Sequence, residues 1–472
     1  MPQWLQKLLP IVGLLVAVFI VLKRLPKVEI GHSDEFKRRR ILNWVPLGLT
    51  YAFLYFGRYN LSAIAGELDK AGLLSKSAFN EIDGIGAWVY GFGFLINGPL
   101  TDRFGGRFTM LLATAGSAIV NLFMALTFQG ASSSADAATI QRSLVLLNAI
   151  NMYFQSFGAV SIVKVNAPWF HVRERGVLGG LFGILISLGL YFSYDWSLAL
   201  QKAFGYAMAF WVPSAVLVTC MLVTLLIVRD SPGQAGLQDF DTGDATAGQV
   251  GRMGLGQVLR VMFSQRVIWI IVAIEFCSGF LRQSVMKQYR LYAKAVGQTG
   301  FVYENWGLLL CIAGILGGVF AGFISDHVFG SRRGPVSAVL YAGMLLGTLG
   351  AFFTLGQPGL AWSVIFMSLC VIGVHGMLSG TASADFGGTK NAGIVTGIID
   401  GFVYLGTGVQ AFYYGRALPK GPEAAQPASW SVWPAAMIPV AVIGLALCMT
   451  IWNARPQRKG VAAEETKAAL AK

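Results

Sequence analysis

Apolar runs of about fifteen to twenty residues follow one another along almost the whole chain, separated by short polar breaks. Runs of that length match the hydrocarbon thickness of a bilayer. In hydrocarbon a backbone must satisfy its own polar groups, so each run predicts a membrane-spanning α-helix. The pattern places spans near 43–66, 80–100, 106–128, 140–167, 177–200 and 208–228, then near 267–290, 303–324, 335–356, 360–385, 393–414 and 431–453. Between the two sets lies a stretch of Gly, Asp, Thr and Ala that starts at Arg229-Asp230-Ser231-Pro232 and ends at Arg266. It is too polar to span and reads as a linker. The expected organisation is therefore a hydrophobic N-terminal segment and basic stretch over 1–40, a six-helix half over 41–229, a cytoplasmic linker over 230–265, a second six-helix half over 266–453, and a polar tail over 454–472 ending in a frayed helix at Glu464–Lys472. One further run, Leu9–Leu22, is broken by Gly13 (and carries Pro10 at its start) and is followed by Lys23-Arg24. It is either a short interfacial or signal-anchor segment or a thirteenth span. The lack of a basic leader and of a small-residue cleavage site argues against a cleaved signal peptide.

The two halves repeat. Arg58 and Arg282 each stand inside an apolar run, and each lies 44 residues before the aspartate of a repeated loop. The first loop is Gly98-Pro99-Leu100-Thr101-Asp102-Arg103, and the second is Gly322-Phe323-Ile324-Ser325-Asp326-His327. Arginine and loop recur together at an offset of 224. Further on, Gly176-x3-Gly180 with Leu188-Gly189 is matched by Gly393-x3-Gly397 with Leu405-Gly406 at an offset of 217. Small residues at that spacing let helices approach closely, so the glycines themselves read as packing. A duplicated membrane fold places its site at the interface of the halves, near the midplane.

Composition sharpens this picture: 55% of residues are hydrophobic and only 12% charged. The net charge of +13 would suit a nucleic-acid binder. Its distribution argues otherwise, because Lys23-Arg24, Lys37-Arg38-Arg39-Arg40, Arg103/Arg107, Arg173/Arg175, Arg332-Arg333 and Arg455/Arg458/Lys459 fall on what twelve alternating spans make one side. That is the positive-inside bias, and it puts both ends of the twelve-helix body in the cytoplasm. Cys220, Cys277, Cys311, Cys370 and Cys448 all lie in apolar runs without metal-ligand spacing and read as small core residues. No metal or cofactor is called for. No nucleotide motif or covalent catalytic set is present, so no enzyme is expected.

An arginine at a helix centre in the bilayer costs roughly 2.5–3.5 kcal/mol on the insertion scale. Two at equivalent positions of a repeat imply an anion that both must meet. Arginine suits phosphate because its planar fork donates two parallel bonds and never loses its charge. Helical spacing puts Tyr51, Tyr55, Arg58 and Ser62 on one stripe, Glu275, Gly279, Arg282 and Met286 on another, and Asp400, Tyr404 and Thr407 on a third. The competing reading is a structural ion pair: Glu275 and Asp400 are available for coupling or charge balance and are expected to pair with the arginines when no anion is bound. Lys164 reads as snorkelling to the surface. Asn148, Asn151 and Gln155 share a face suited to bonds between helices, Lys287 and Arg290 belong to the external mouth, and His375 reads as a hydrogen-bonded packing residue. His171 and His327 fall in cytoplasmic loops.

The Gly98–Arg107 stretch resembles the loop motif of the major facilitator superfamily, with an extra Gly105-Gly106 pair, and Gly322–Arg333 is its degenerate copy. More specific segments resemble the organophosphate:phosphate antiporter family. These are Tyr55-Phe56-Gly57-Arg58-Tyr59-Asn60, Phe154-Gln155, Trp169-Phe170, Glu174-Arg175-Gly176, Arg229-Asp230-Ser231-Pro232, Phe280-Leu281-Arg282, Gly387-Gly388-Thr389-Lys390-Asn391-Ala392 and Gly401-Phe402-Val403-Tyr404-Leu405-Gly406. The resemblance implies an all-α membrane protein with two six-helix halves related by a pseudo-two-fold, which exchanges glycerol 3-phosphate or a hexose phosphate for inorganic phosphate as a monomer. It implies phosphate binding by Arg58 and Arg282, with Tyr51, Tyr55, Tyr90 and Tyr404 lining the site. Conformational cycling would fall to Asp102, Arg103 and Asp326. The chain departs from the glycerol-phosphate pattern where a lysine is Tyr59, a second-helix lysine is Phe94, a fifth-helix histidine is Ile186, and an Asp-Trp pair reads Lys287-Gln288. Phosphate binding survives these changes, while the organic part of the substrate stays open. A sugar-phosphate sensor of the same fold and a proton-coupled organic-anion carrier are the alternatives.

Overall fold

The computed structural model describes residues 3–24, 31–129, 137–171, 175–242, 256, 266–329 and 333–453. Every regular element among them is helical. After α1 (Gln3–Arg24), the first six spans are α2 (Asp34–Lys70), α3 (Lys76–Phe104), α4 (Gly106–Phe128), α5 (Ala137–Asn166), α6 (Arg175–Tyr191) and α8 (Met208–Ile227). A π-helical segment, Phe192–Trp196, carries α6 on into α7 (Ser197–Phe204). The next six are α9 (Arg266–Met286), prolonged by α10 (Gln288–Ala295), then α11 (Trp306–Phe323), α12 (Arg333–Phe353), α13 (Gly359–His375), α14 (Ser383–Ala417) and α15 (Val432–Thr450). Ser33 and Ser75 start α2 and α3 by accepting the N–H groups of Phe36 and Ala78, each at 3.2 Å.

Among the described residues, ten helices are long and apolar enough to cross a membrane. Of the three long helices outside that count, α1, α2 and α3, the last two bury Arg58, Asn60, Asp83, Asn97 and Asp102. Polar side chains at this depth turn to the protein interior, which makes these two the polar walls of the interface between the halves.

The halves meet along two seams, α3 against α14 and α6 against α11. The first is close because glycine faces glycine: a Cβ on Gly98 would lie 2.6 Å from the carbonyl oxygen of Gly393. Near the centre, the amide of Gln283 donates to the Tyr59 hydroxyl at 3.0 Å. These residues are 224 apart, the offset of the repeat, and a residue can touch its own counterpart only where the pseudo-two-fold axis passes.

The loop motif between α3 and α4 turns at Gly105, whose φ of +93° favours glycine. Asp230, from the Arg229–Pro232 segment, accepts the backbone N–H of Arg107 at 2.7 Å and so caps the start of α4 from a distance. Burial raises its carboxyl above the ordinary range, against the pull of that bond and of the Arg107 and Lys164 charges. Asn43 on α2 exchanges bonds of 3.1 and 2.7 Å with the backbone of Arg229, so the same segment is tied to the first half.

α1 is a continuous helix of 22 residues, about 33 Å long and sufficient to cross a bilayer. Ile11 is fully buried in one cluster with Leu308 and Cys311, and α1 packs on α11. Leu9, Val12, Val16 and Phe19 face outward. All five cysteines are buried and free. Glu174, Arg332, most of the linker and the tail with Glu464–Lys472 lie outside the described residues, as do the side chains of Arg175, Asp326, His327 and residues 387–392.

Candidate functional site

Arg58 and Arg282 are both nearly fully buried, at 4% and 2% exposure. Arg58 is held on three sides. Its Nε and Nη2 donate to Oε1 of Gln155 at 3.2 and 3.1 Å, and its Nη1 donates to the Tyr404 hydroxyl at 2.9 Å. Its guanidinium also lies over the rings of Tyr55 and Tyr90, 4.4 and 4.7 Å from their centroids. Gln155 is fixed in turn by donating to the carbonyl of Leu54 at 2.9 Å. The face carrying Asn148, Asn151 and Gln155 does bond between helices, since Asn151 donates to the carbonyl of Gly57 and Asn148 to that of Ile82. Gln155 does more than that face predicts, because it orients the arginine.

Arg282 lies over the ring of Tyr404 at 5.5 Å. Its Nε and Nη2 are buried and meet no acceptor among the described residues, and the hydroxyl of Tyr90 is likewise buried without a partner among them. Nε and Nη2 form one edge of the guanidinium fork, the edge that takes two oxygens of one anion side by side. Tyr404 therefore stands between the two arginines, and Tyr90 lies tilted against it with ring centroids 4.0 Å apart. Tyr51 meets Tyr55 edge-on at 5.5 Å. The structure thus brings Tyr55, Arg58, Tyr90, Arg282 and Tyr404 together, with Tyr51 one ring further out.

The expected pairing of the acids with the arginines is not what the structure shows. Glu275 is bonded instead to His375, whose Nδ1 lies 3.3 Å from Oε2, and Asp400 takes a hydrogen bond from Ser379. Both acids stay within electrostatic reach of Arg282 without touching it. The reason is geometric: Glu275 lies two helical turns from Arg282 on α9, while α13 and the π-helical segment Gly376–Ala382 bring His375 and Ser379 nearer. Thr407 bonds to the carbonyls of Gly279 and Val403 and so joins α14 to α9.

Contacts between the halves close both ends of this chamber. At one end Asp102, paired with Lys164 of its own half at 2.6 Å, accepts the backbone N–H groups of Ile394 and Gly393 of the other half at 3.0 and 3.3 Å. Lys164 is thus an ion-pair partner and does not snorkel. Arg103 is exposed, over the ring of Phe104. At the other end Lys287 pairs with Asp83, Lys294 with Glu67 at 2.5 Å, and Gln288 donates to Asn80 at 2.9 Å. Lys287 and Arg290, which the sequence places at the external mouth, are buried at 4% and 8% exposure. A small cavity lies between Arg58 and the Asp83–Lys287 pair, with Tyr59, Ser62 and Tyr404 in its wall.

A family model described as the Major Facilitator Superfamily matches residues 47–411. The chain is 24% identical to the membrane sensor protein UhpC of Salmonella typhimurium, over 83% of this chain and 88% of that protein. It is 25% identical to a glycerol-3-phosphate transporter of Bacillus subtilis, over 79% and 84% of the two chains. A probable hexose phosphate transport protein of Chlamydia trachomatis is 23% identical, over 90% and 93%. Among solved structures, the fold is similar to that of a bacterial homologue of the human lysosomal transporter Spinster in an inward-facing, unoccupied conformation. The TM-score there is 0.60 and the identity 13%, with 89% of this chain and 96% of that one covered.

Proposed function

From the premise that this chain belongs to the Major Facilitator Superfamily and is an integral, multi-pass membrane protein, we propose that it is a secondary carrier exchanging a phosphorylated small metabolite for inorganic phosphate by alternating access. The observation that carries this reading is the buried pair of arginines on either side of Tyr404, one held by Gln155 and the other with an unshared fork edge. A buried cation without an acceptor is costly, and a phosphate placed against that edge would remove the cost with two charge-assisted bonds. Glycerol 3-phosphate and hexose phosphates are the substrate classes to test, since transporters with those names are similar to the chain along most of its length.

In this reading Arg58 and Arg282 bind the phosphoryl group, and Tyr51, Tyr55, Tyr90 and Tyr404 line the site. Asp102, Arg103 and Asp326 serve the conformational cycle, and Glu275 and Asp400 balance charge. The protein acts as a monomer in a bacterial inner membrane, as two six-helix halves with both ends of the twelve-helix body in the cytoplasm. The length of α1 and its packing on α11 support a thirteenth span. A second reading, a sugar-phosphate sensor that binds without transporting, is favoured by the similarity to a membrane sensor protein.

The test is counterflow of labelled phosphate into liposomes containing the purified chain, competed with a panel of phosphate esters. Accumulation that one ester class suppresses supports the carrier. Saturable binding of the same esters without counterflow would favour the sensor, and no binding of phosphate or its esters would remove both readings.

A further inference from the structure

Glu275 has a place in this protein that the arginines do not explain. Its side chain is fully buried; among the described residues its Oε1 has no well-formed hydrogen bond, with the Ser278 hydroxyl one turn along the helix close to the carboxyl, and its Oε2 meets Nδ1 of His375. Further along the same helix lies the complementary defect, the unshared Nε and Nη2 of Arg282. A carboxylate and a guanidinium on one helix, each with an unsatisfied edge and not bonded to each other, form a poor resting ion pair. They are well placed to exchange partners.

We infer that Glu275, seated on His375, is a proton-binding site whose occupation is linked to the anion on Arg282. The inference rests on the anion-binding reading above and adds a second ligand to it. When an anion takes the Arg282 edge, its negative charge replaces the one Glu275 supplied to that cation, and a carboxylate with an open oxygen gains by taking onto Oε1 a proton given up by a solvent hydronium or buffer acid. Oε2 continues to accept from Nδ1–H of His375. When the anion leaves, the proton leaves Oε1 to water and Glu275 again balances Arg282. One O–H bond forms for each anion bound and breaks for each anion released, with no other change of bonding.

The charged and titratable groups facing the pair support a local exchange. α9 contributes Arg282 and Cys277, α2 contributes Arg58, α14 contributes Asp400 and Tyr404, α12 contributes Tyr341, and α15 contributes Cys448. Asp400 already has the Ser379 hydroxyl as a donor, and Tyr341 spends its proton on the carbonyl of Ile274 at 2.6 Å. Among these, Glu275 is the acid with an oxygen to spare. His375 ends α13 where the backbone passes into the π-helical segment Gly376–Ala382. Such segments break the regular ladder and are frequent at functional positions.

The experiment uses the full chain in lipid nanodiscs, inorganic phosphate as the probe, and an alkaline pH at which free phosphate is a dianion. Calorimetry in two buffers of different ionisation enthalpy gives the protons taken up per phosphate bound. Wild type is expected to take up about one proton more than Glu275→Gln, so its affinity for phosphate falls about tenfold more steeply per pH unit than the variant's. Infrared difference spectra on adding phosphate should show a protonated-carboxyl band in wild type and in Asp400→Asn that is lost in Glu275→Gln. Equal proton counts in wild type and Glu275→Gln overturn the inference. So does phosphate binding by wild type without such a band, which holds even if the Gln variant does not fold. A wild type that binds no phosphate contradicts the anion site itself, and this inference with it.

Discussion

Nη1 of Arg58 donates to the hydroxyl of Tyr404 at 2.9 Å, and the bond joins residues 346 positions apart on α2 and α14. One end belongs to the first helix of the first half, the other to the fifth helix of the second. The bond can exist only while those helices are together, so aiming the arginine and bringing the halves together at midplane are one event.

Tyr404→Phe keeps the ring that lies under Arg282 and between the arginines but removes this acceptor. A hydrogen bond to a charged group is worth about 1.5–3 kcal/mol. Phosphate affinity should fall by roughly tenfold to a hundredfold, with the protein still folded, as read by calorimetric binding and a thermal melt.

Arg58→Lys and Arg282→Lys keep the charge and lose the fork. Each should lower phosphate exchange by about a hundredfold or more while the melting temperature stays close to wild type. Near-normal exchange in either folded variant would count against a two-arginine clamp.

Much of this site is legible in the amino-acid order itself. The repeat offset marks Arg58 and Arg282 as a pair, because a duplication preserves position and a buried cation is too costly to be kept by accident. The same offset implies an axis, and the Tyr59–Gln283 bond lies on it. Partners are harder to read. Depth or helix face alone describes Gln155, Lys164, Lys287 and His375, yet each bonds a residue far away along the chain, 204 positions away in the case of Lys287. Helical periodicity says which way a side chain points from its own helix and nothing about which helix stands opposite. The acids mislead for the same reason: Glu275 and Arg282 share a stripe, but His375 comes from a helix that no local pattern can place.

Asp102 holds the halves together at one end through two backbone N–H groups of α14, with Lys164 of its own half pairing the carboxylate. Asp102→Asn weakens that latch without touching the arginines. Exchange should slow severalfold or more while equilibrium binding of phosphate changes little. A large loss of binding with normal turnover would reverse the assignment.

Asp83 and Lys287 form the matching buried pair at the other end. Removing one member strands its partner, which costs about 3–5 kcal/mol. Lys287→Met should therefore lower the melting temperature clearly, and the exchanged pair Asp83→Lys with Lys287→Asp should recover much of the loss. No recovery in the double variant would show that the position, and not the pair, is what matters.

In the proposed exchange, a phosphate held between Arg58 and Arg282 must be present for the halves to change sides quickly, since closing a low-dielectric chamber on two arginines that no bound anion bridges, one of them with an open fork edge, is unfavourable. The direct measurement is efflux of labelled phosphate from proteoliposomes with and without unlabelled phosphate outside. The account predicts slow efflux into phosphate-free buffer and an acceleration of about tenfold or more when phosphate is added. Equal efflux under the two conditions would contradict it.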